Sequence, residues 1–441
     1  MKRLICCVCA GLLLSGCADT KKTAPKDGRI AVKSVAVYSV EKTQTKIIPN
    51  TPQSQFNWGQ NNGNAQNLMP HGKIGQDVSS SWIRSVGKGI SDDFLILPEP
   101  IIFNNIIYAL DSRFQLSAVN ENNGELLWKK ELPIHKDMGI ASIGLATDGE
   151  KIYAVSGTGL ILAMDMQGTP VWQKDTRSIL RSAPTVFDNL LYVLSGNNEL
   201  FAVNTSTGEI VWQYRNISTA TNLMGMGQPA VSNGVLVVPF SSGEIIAFNA
   251  KTGTILWSDL LLSSRTFNQI QDLSHVLASP VIEQNTVYLV GNAGKTGAFN
   301  LQTGTPQFIQ NIGGQNTPMI SGNALFMITN RHTLVALDKQ DGKLIWETDL
   351  ESTEPKKIVW NGPVMVNNAL ITTSNKGDIL LIDALTGTIK QKMKDKKLSN
   401  QPIIGNNKII LYIQSHSILL LEVAFLLVWL PASIDYYIFL K

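Results

Sequence analysis

"LFAVNTSTGEIVW", residues 200–212, decides the fold because it comes back: the chain reads "IIAFNAKTGTILW" at 245–257 and "LVALDKQDGKLIW" at 334–346. Each copy is an apolar run, a polar turn carrying Asn or Asp ahead of a Gly, and a second run closing on Trp. Aligned on the glycine, the copies fall at Gly124, Gly168, Gly208, Gly253, Gly304, Gly342 and Gly387, a mean spacing of about 44 residues. Four residues after each glycine stand Trp128, Trp172, Trp212, Trp257, Phe308, Trp346 and Gln391. Pro100, Pro184, Pro229, Pro280, Pro318 and Pro363 lie 24 residues before it. The second copy departs twice: Gly144 replaces the proline, and Asp165 stands three rather than four residues ahead of its glycine.

Four short apolar runs separated by Gly, Asn and Asp turns make four antiparallel strands. One such sheet cannot bury both faces, so neighbours must stack; a period in the forties with a Trp signature is that of a β-propeller. The chain is therefore expected to be all-β, an eight-bladed propeller of four-stranded antiparallel blades over 56–422. Seven copies are complete, and an eighth starts at Pro402 with three strands. The isolated strand around Trp82 is expected to complete it and close the ring, hiding two open sheet edges. Trp82, Trp128, Trp172, Trp212, Trp257 and Trp346 are read as packing between blades.

The regular part of each repeat runs from Pro to Trp; variation lies between Trp and the next Pro. Those connections share one rim. The longest, 17 residues from Trp212 to Pro229 and 23 from Trp257 to Pro280, single out 213–228 and 258–279, since recognition concentrates on loops carried by a rigid scaffold.

Residues 1–16 read as a signal peptide: Lys2 and Arg3, then a short apolar core, too short to span as a mature helix. "LSGC" at 14–17 matches a bacterial lipobox, so Cys17 would carry the lipid (palmitate included). Ala18 after it, rather than Asp, points to the outer membrane, on its periplasmic face. Cys6, Cys7 and Cys9 leave with the signal, so no internal disulfide is possible. Residues 17–55 read as the lipidated Cys and a tether. Net charge is +3, falling to about +1 without Lys2 and Arg3, and gives no footprint for nucleic acid. Residues 423–441 form an apolar tail, interrupted by Pro431 and Asp435, that reads as an abnormal terminus rather than a membrane helix.

His71, His135, His275, His332 and His416 show no metal-ligand spacing, and there is no G-x-S-x-G or P-loop. The turn Asn and Asp residues recur blade by blade, as turn formers do. No catalytic residue, metal or cofactor is expected.

The repeat resembles that of the pyrroloquinoline-quinone (PQQ) dehydrogenases and of the BamB family of outer-membrane assembly lipoproteins. The mature chain lacks the adjacent cysteines of the dehydrogenases, while "LSGC", "WGQNNGNAQ" (58–66) and "SWIRSVGKGI" (81–90) resemble BamB. The resemblance implies a non-enzymatic partner of the barrel-forming subunit BamA, with transient contact to unfolded outer-membrane proteins. The alternative it leaves open is a PQQ-dependent propeller enzyme. Family contact motifs fall on the two long connections. Leu-Arg-Gly aligns with Leu223, Met224 and Gly225, and Leu-Ser-Asp-Val-Asp with Leu273, Ser274, His275, Val276 and Leu277. The basic residue and both acids are replaced, which implies a more apolar contact.

Overall fold

Seven sheets each take four consecutive strands, and the eighth joins Ile403–Gly405, Lys408–Ile413 and Ser417–Leu421 to Trp82–Ser85 from the other end of the chain. The computed structural model describes residues 40–74, 82–90, 97–133, 142–217, 227–260, 278–292, 294–350, 358–394, 398, 400–414 and 417–421. The signal peptide, Cys17, the partner-binding candidates 223–225 and 273–277, and the tail 423–441 lie outside them. All neighbouring strands are antiparallel, so the protein is an all-β, eight-bladed propeller. Among the described residues there is no helix, and so none long and apolar enough to cross a membrane.

Blade 3 shows why this sequence forms this unit. Its strands are Thr185–Phe187, Leu190–Leu194, Glu199–Asn204 and Ile210–Arg215. The second strand, "LLYVL", is buried at every position, because both faces of a middle strand meet adjoining blades; such strands read as continuous apolar runs. The outer strand alternates between half-buried and exposed. Between the last two strands, Asn204 Oδ1 accepts the N–H groups of Ser206 and Thr207 at 2.8 and 3.0 Å. The Gly208 N–H then donates to the Asn204 carbonyl, with Gly208 at φ +75°.

The tryptophan and the glycine of the repeat meet across the blade boundary. The Trp172 ring lies beneath Gly208 of the next blade, Trp212 beneath Gly253, Trp257 beneath Gly304 and Trp346 beneath Gly387. Each indole N–H donates to the carbonyl just after the turn Asn or Asp: Trp172 to Thr205 (2.9 Å), Trp212 to Ala250 (3.0 Å), Trp257 to Leu301 (2.8 Å) and Trp346 to Ala384 (3.1 Å). A side chain at the glycine would strike the ring. Phe308 fills the same position under Gly342 without an N–H to donate.

The seam between blades 8 and 1 uses the same joint. Trp82 lies beneath Gly124, and its N–H reaches the Glu121 carbonyl at 3.2 Å. Trp82–Ser85 pairs with Ser417–Leu421. The buried Glu121 carboxylate accepts the backbone N–H of Asn406 at 2.7 Å, tying the two blades again. Blade 2 departs in structure where it departs in sequence. A bulge falls between Ser142 and Gly144, and a Cβ on Gly144 would sit 2.6 Å from that of Ala183 in blade 3.

Residues 40–55, read from sequence as tether, are bound to blade 6. Thr43 N–H donates to Leu344 and Leu344 N–H to Glu41, a parallel addition to the outer strand of that blade. The chain then crosses the strand turns: Ile48 N–H donates to Asn323 Oδ1 (2.7 Å) and Asn50 N–H to Ser321 Oγ (3.0 Å). The segment "TKIIPN" has no apolar periodicity, and Asn323 in the partner turn supplies what orders it.

Gly208 and Gly234 separate the cost of backbone conformation from the cost of the joint. Both have φ +75°, but a Cβ at 208 would lie 2.7 Å from the Trp172 ring, whereas at 234 nothing is within 4 Å. Gly234→Ala should cost about 1 kcal/mol in urea unfolding. Gly208→Ala should cost about 3 kcal/mol, because rigid aromatic packing must also give way. Equal losses would show that the glycine serves only the turn.

Candidate partner-binding face

The connections between blades all leave from one end of the sheets, which also carries the turns between second and third strands. On this face the two longest connections start apart and finish together. That from blade 3 to blade 4 starts at Asn216, whose N–H donates to the Asn198 carbonyl (3.0 Å) and whose amide donates to Glu244 (2.7 Å). Its next residue, Ile217, is 82% exposed. The connection from blade 4 to blade 5 starts at Leu260, 51% exposed. At the far ends Gln228 N–H donates to Ser279 Oγ (3.0 Å), and a Cβ on Gly227 would lie 2.6 Å from the Ala278 carbonyl. The returning feet of both loops are thus locked together. Leu223, Met224 and Gly225 belong to the first loop and Leu273, Ser274, His275, Val276 and Leu277 to the second; the structure describes their anchors.

The connection before these two, from blade 2 to blade 3, is shorter and fully described. Leu180 is buried and bridges Ser195, Arg181 N–H donates to Leu194 (3.0 Å), and Gly196 N–H donates to Ile179 (2.8 Å). Ile179 is left 42% exposed on this rigid bed. Exposed aliphatic groups thus mark three consecutive connections on one face.

Beneath the face the hub is filled by the chain itself, which the sequence reading missed. Each blade presents the free edge of its first strand to the centre, and residues 58–74 meet these edges in blade order. Trp58 exchanges two backbone bonds with Ile102 in blade 1, Gly59 accepts from Thr147 in blade 2, and the Gln60 amide clamps Val186 in blade 3 at 2.8 Å on both sides. Ala65 accepts from Val231 in blade 4 and Gln66 from Ile282 in blade 5. His71 Nδ1 meets Ser321 Oγ of blade 6 at 3.1 Å, and Gly72 exchanges bonds with Met365 and Asn367 in blade 7. Blade 8 closes the circuit through Gln401, whose amide donates to Asn62 Oδ1 (3.0 Å). Asn62 and Asn67 turn the segment with φ of 56° and 54°. The signal for this ring was its composition: Asn, Gln and Gly without period, ahead of the first repeat.

Two titratable groups sit in the hub. Glu99 accepts from Gln401 Nε2 (3.3 Å) and from the Asn62 N–H. Protein surrounds the carboxylate, and desolvation pushes it up to about 7 against those hydrogen bonds. His71 is buried, and desolvation lowers its pKa against backbone bonds to Asn367 and Asn50. Among the described residues no cluster of three or more His, Cys, Asp or Glu could hold a metal ion.

The family model described as outer membrane protein assembly factor BamB matches residues 112–346 and 314–422. The chain belongs to the BamB family. It is 24% identical over 348 residues to the BamB of Shewanella oneidensis, covering 76% of this chain and 86% of that one. It is 22% identical to that of Yersinia pestis, covering 80% and 91%. Among solved structures, BamB from Moraxella catarrhalis superposes with a TM-score of 0.66 at 17% identity, covering 78% of this chain and 98% of that one. A europium-containing methanol dehydrogenase follows at 0.64 and 13%, covering 81% and 89%. At such identities these two structures share the fold alone.

The hub gives a pH prediction. A carboxyl held at about 7 in the folded state, against 4.5 ordinarily, keeps its proton where the unfolded chain has lost it. Its contribution is therefore present below pH 4.5 and lost as pH rises through 7, a swing on the order of 3 kcal/mol. His71 acts the other way, its contribution being lost as pH falls. Wild type and Glu99→Gln both keep His71, so their difference isolates Glu99. Thermal melts at pH 5 and pH 8 should show the variant gaining relative to wild type at pH 8; an unchanged difference would place the Glu99 carboxyl in water.

Proposed function

We propose that this chain is a non-enzymatic lipoprotein subunit of the outer-membrane β-barrel assembly machinery, anchored by lipid on Cys17 at the periplasmic face. It docks the BamA-like barrel-forming subunit and meets unfolded outer-membrane proteins transiently during their insertion. The observation that carries this reading is the pair of long connections whose feet are locked together through Gln228 and Ser279 on one face. The resemblance to the BamB family implies contact residues on these loops, at Leu223 to Gly225 and Leu273 to Leu277. The exposed Ile217 and Leu260 at the loop bases supply the apolar surface that the loss of the family's charged residues calls for.

The fold shared with quinone-dependent dehydrogenases supports a second reading, a PQQ enzyme using the centre of the ring. The hub speaks against it: the inner strand edges facing that centre are engaged by residues 58–74.

Affinity capture from detergent-solubilised outer membranes should recover the BamA-like subunit with the wild-type chain. Leu273→Asp should reduce recovery at least tenfold, because a carboxylate in an apolar contact loses its hydration without a partner. Failure of the wild type to recover that subunit would refute the docking role. Micromolar PQQ with Ca²⁺ should leave the melting temperature unchanged; a saturable rise would favour the enzyme.

A further inference from the structure

The first strands of blades 4 and 5, Ala230–Ser232 and Val281–Glu283, begin just after Pro229 and Pro280, and each proline closes one of the two long connections. A proline has no N–H, but its carbonyl still needs a donor where it is buried. Both carbonyls turn to one side chain in the hub. Asn67 Nδ2 donates to Pro280 at 2.9 Å and reaches Pro229 and Gln228 at 3.3 and 3.4 Å. Its Oδ1 accepts Gln228 Nε2 (2.7 Å) and Asn62 Nδ2 (3.4 Å), and Asn62 Nδ2 also meets Ser279 Oγ (3.3 Å). Asn67 is wholly buried at φ 54°, a left-handed conformation that Asn tolerates better than most residues. The two residues before it straddle the same boundary. Ala65 accepts from Val231 in blade 4, Gln66 accepts from Ile282 in blade 5, and the Gln66 amide returns to Ser232 of blade 4 at 3.1 Å. Stability alone does not account for this composition: Gln228 is buried with its Oε1 unpartnered, a cost that an aliphatic side chain would avoid.

Resting on the docking role proposed above, we propose that Asn67 is a positioning residue for that contact: from the hub it fixes the returning ends of both long connections relative to each other, so that the loops meet the BamA-like subunit already set. One hydrogen bond, Gln228 N–H to Ser279 Oγ, joins the two ends directly and by itself would act as a hinge. Asn67, bonded to both ends from a third point, removes that freedom. Loops held in this way have less freedom to lose on docking than loops hung separately on two blades. Asn67 acts through the loops, from inside the ring, on a contact made at its face.

Measurements on the full-length chain test this. Asn67→Gly keeps the left-handed turn and removes the amide. Recovery of the BamA-like subunit should fall about tenfold, because loops that must be ordered on docking bind more weakly. His71→Ala is the control: it breaks hub bonds to Ser321 and Asn367, in blades 6 and 7, and should lower the melting temperature while leaving recovery unchanged. In the isolated protein, the distance distribution between spin labels on Met224→Cys and His275→Cys should broaden about twofold when Asn67→Gly is added, since local order there rests on the amide. It should not broaden with His71→Ala. Should Asn67→Gly fail to accumulate, Gln228→Met carries the same expectations, since it removes the bond to Asn67 from the other side and deletes the unpartnered oxygen. Undiminished recovery or an unbroadened distribution in the folded variant overturns the assignment. An equal loss of recovery in His71→Ala overturns it too, by reducing the effect to stability. These outcomes leave the docking role standing; failure of the wild type to recover the subunit overturns both.

Discussion

The joint on which this molecule depends is an indole ring of one blade under a turn glycine of the next, fastened by one N–H to one carbonyl. It explains three features of the repeat together. The glycine must lack a side chain because the ring occupies that space, and it must tolerate positive φ because the turn demands it. The Asn or Asp four residues earlier must hold the turn so that the following carbonyl faces the indole. Sheets joined this way have one relative orientation, and repetition of that orientation brings the eighth blade to the first, where Trp82 makes the same joint to Gly124.

A ring of sheets leaves two sets of strand edges unpaired, and the chain treats them differently. The inner edges converge on a centre that would otherwise hold buried N–H and C=O groups, and residues 58–74 satisfy one blade after another. The outer edges face solvent and need no partner, yet blade 6 accepts residues 41–43 on its edge. That strap continues inward across Asn323 and Ser321, so rim and hub are connected by one continuous stretch. A segment with no regular structure of its own is thereby the most widely connected part of the protein.

The repeating parts were legible in the sequence because they obey one local rule many times over. Blade number, the glycine and tryptophan positions and the aberrant second blade all follow from the spacing of Pro, Asn, Gly and Trp. What was not legible is whatever occurs once. "WGQNNGNAQ" carries no period, and its partners lie scattered from Ile102 to Gln401, so no window of sequence contains the pairing. Residues 40–55 looked like tether because their ordering partner, Asn323, is an ordinary turn residue far along the chain. The long connections were visible through their length, but the locking of their feet depends on Gln228 and Ser279, 51 residues apart.

This division between repeated and unique residues also says where selectivity can reside. A contact made by the repeat would be presented seven times around the ring and could not define one orientation of a partner. A single docking pose needs features that break the symmetry: two unequal loops and the aliphatic groups Ile179, Ile217 and Leu260 on consecutive connections all lie along the same arc of one face. Opposite that face, Asn323 and Ser321 hold the strap that leads back toward the N-terminus. The described residues of the strap are held at these turns, so their contacts do not involve the loop-bearing ends of the sheets.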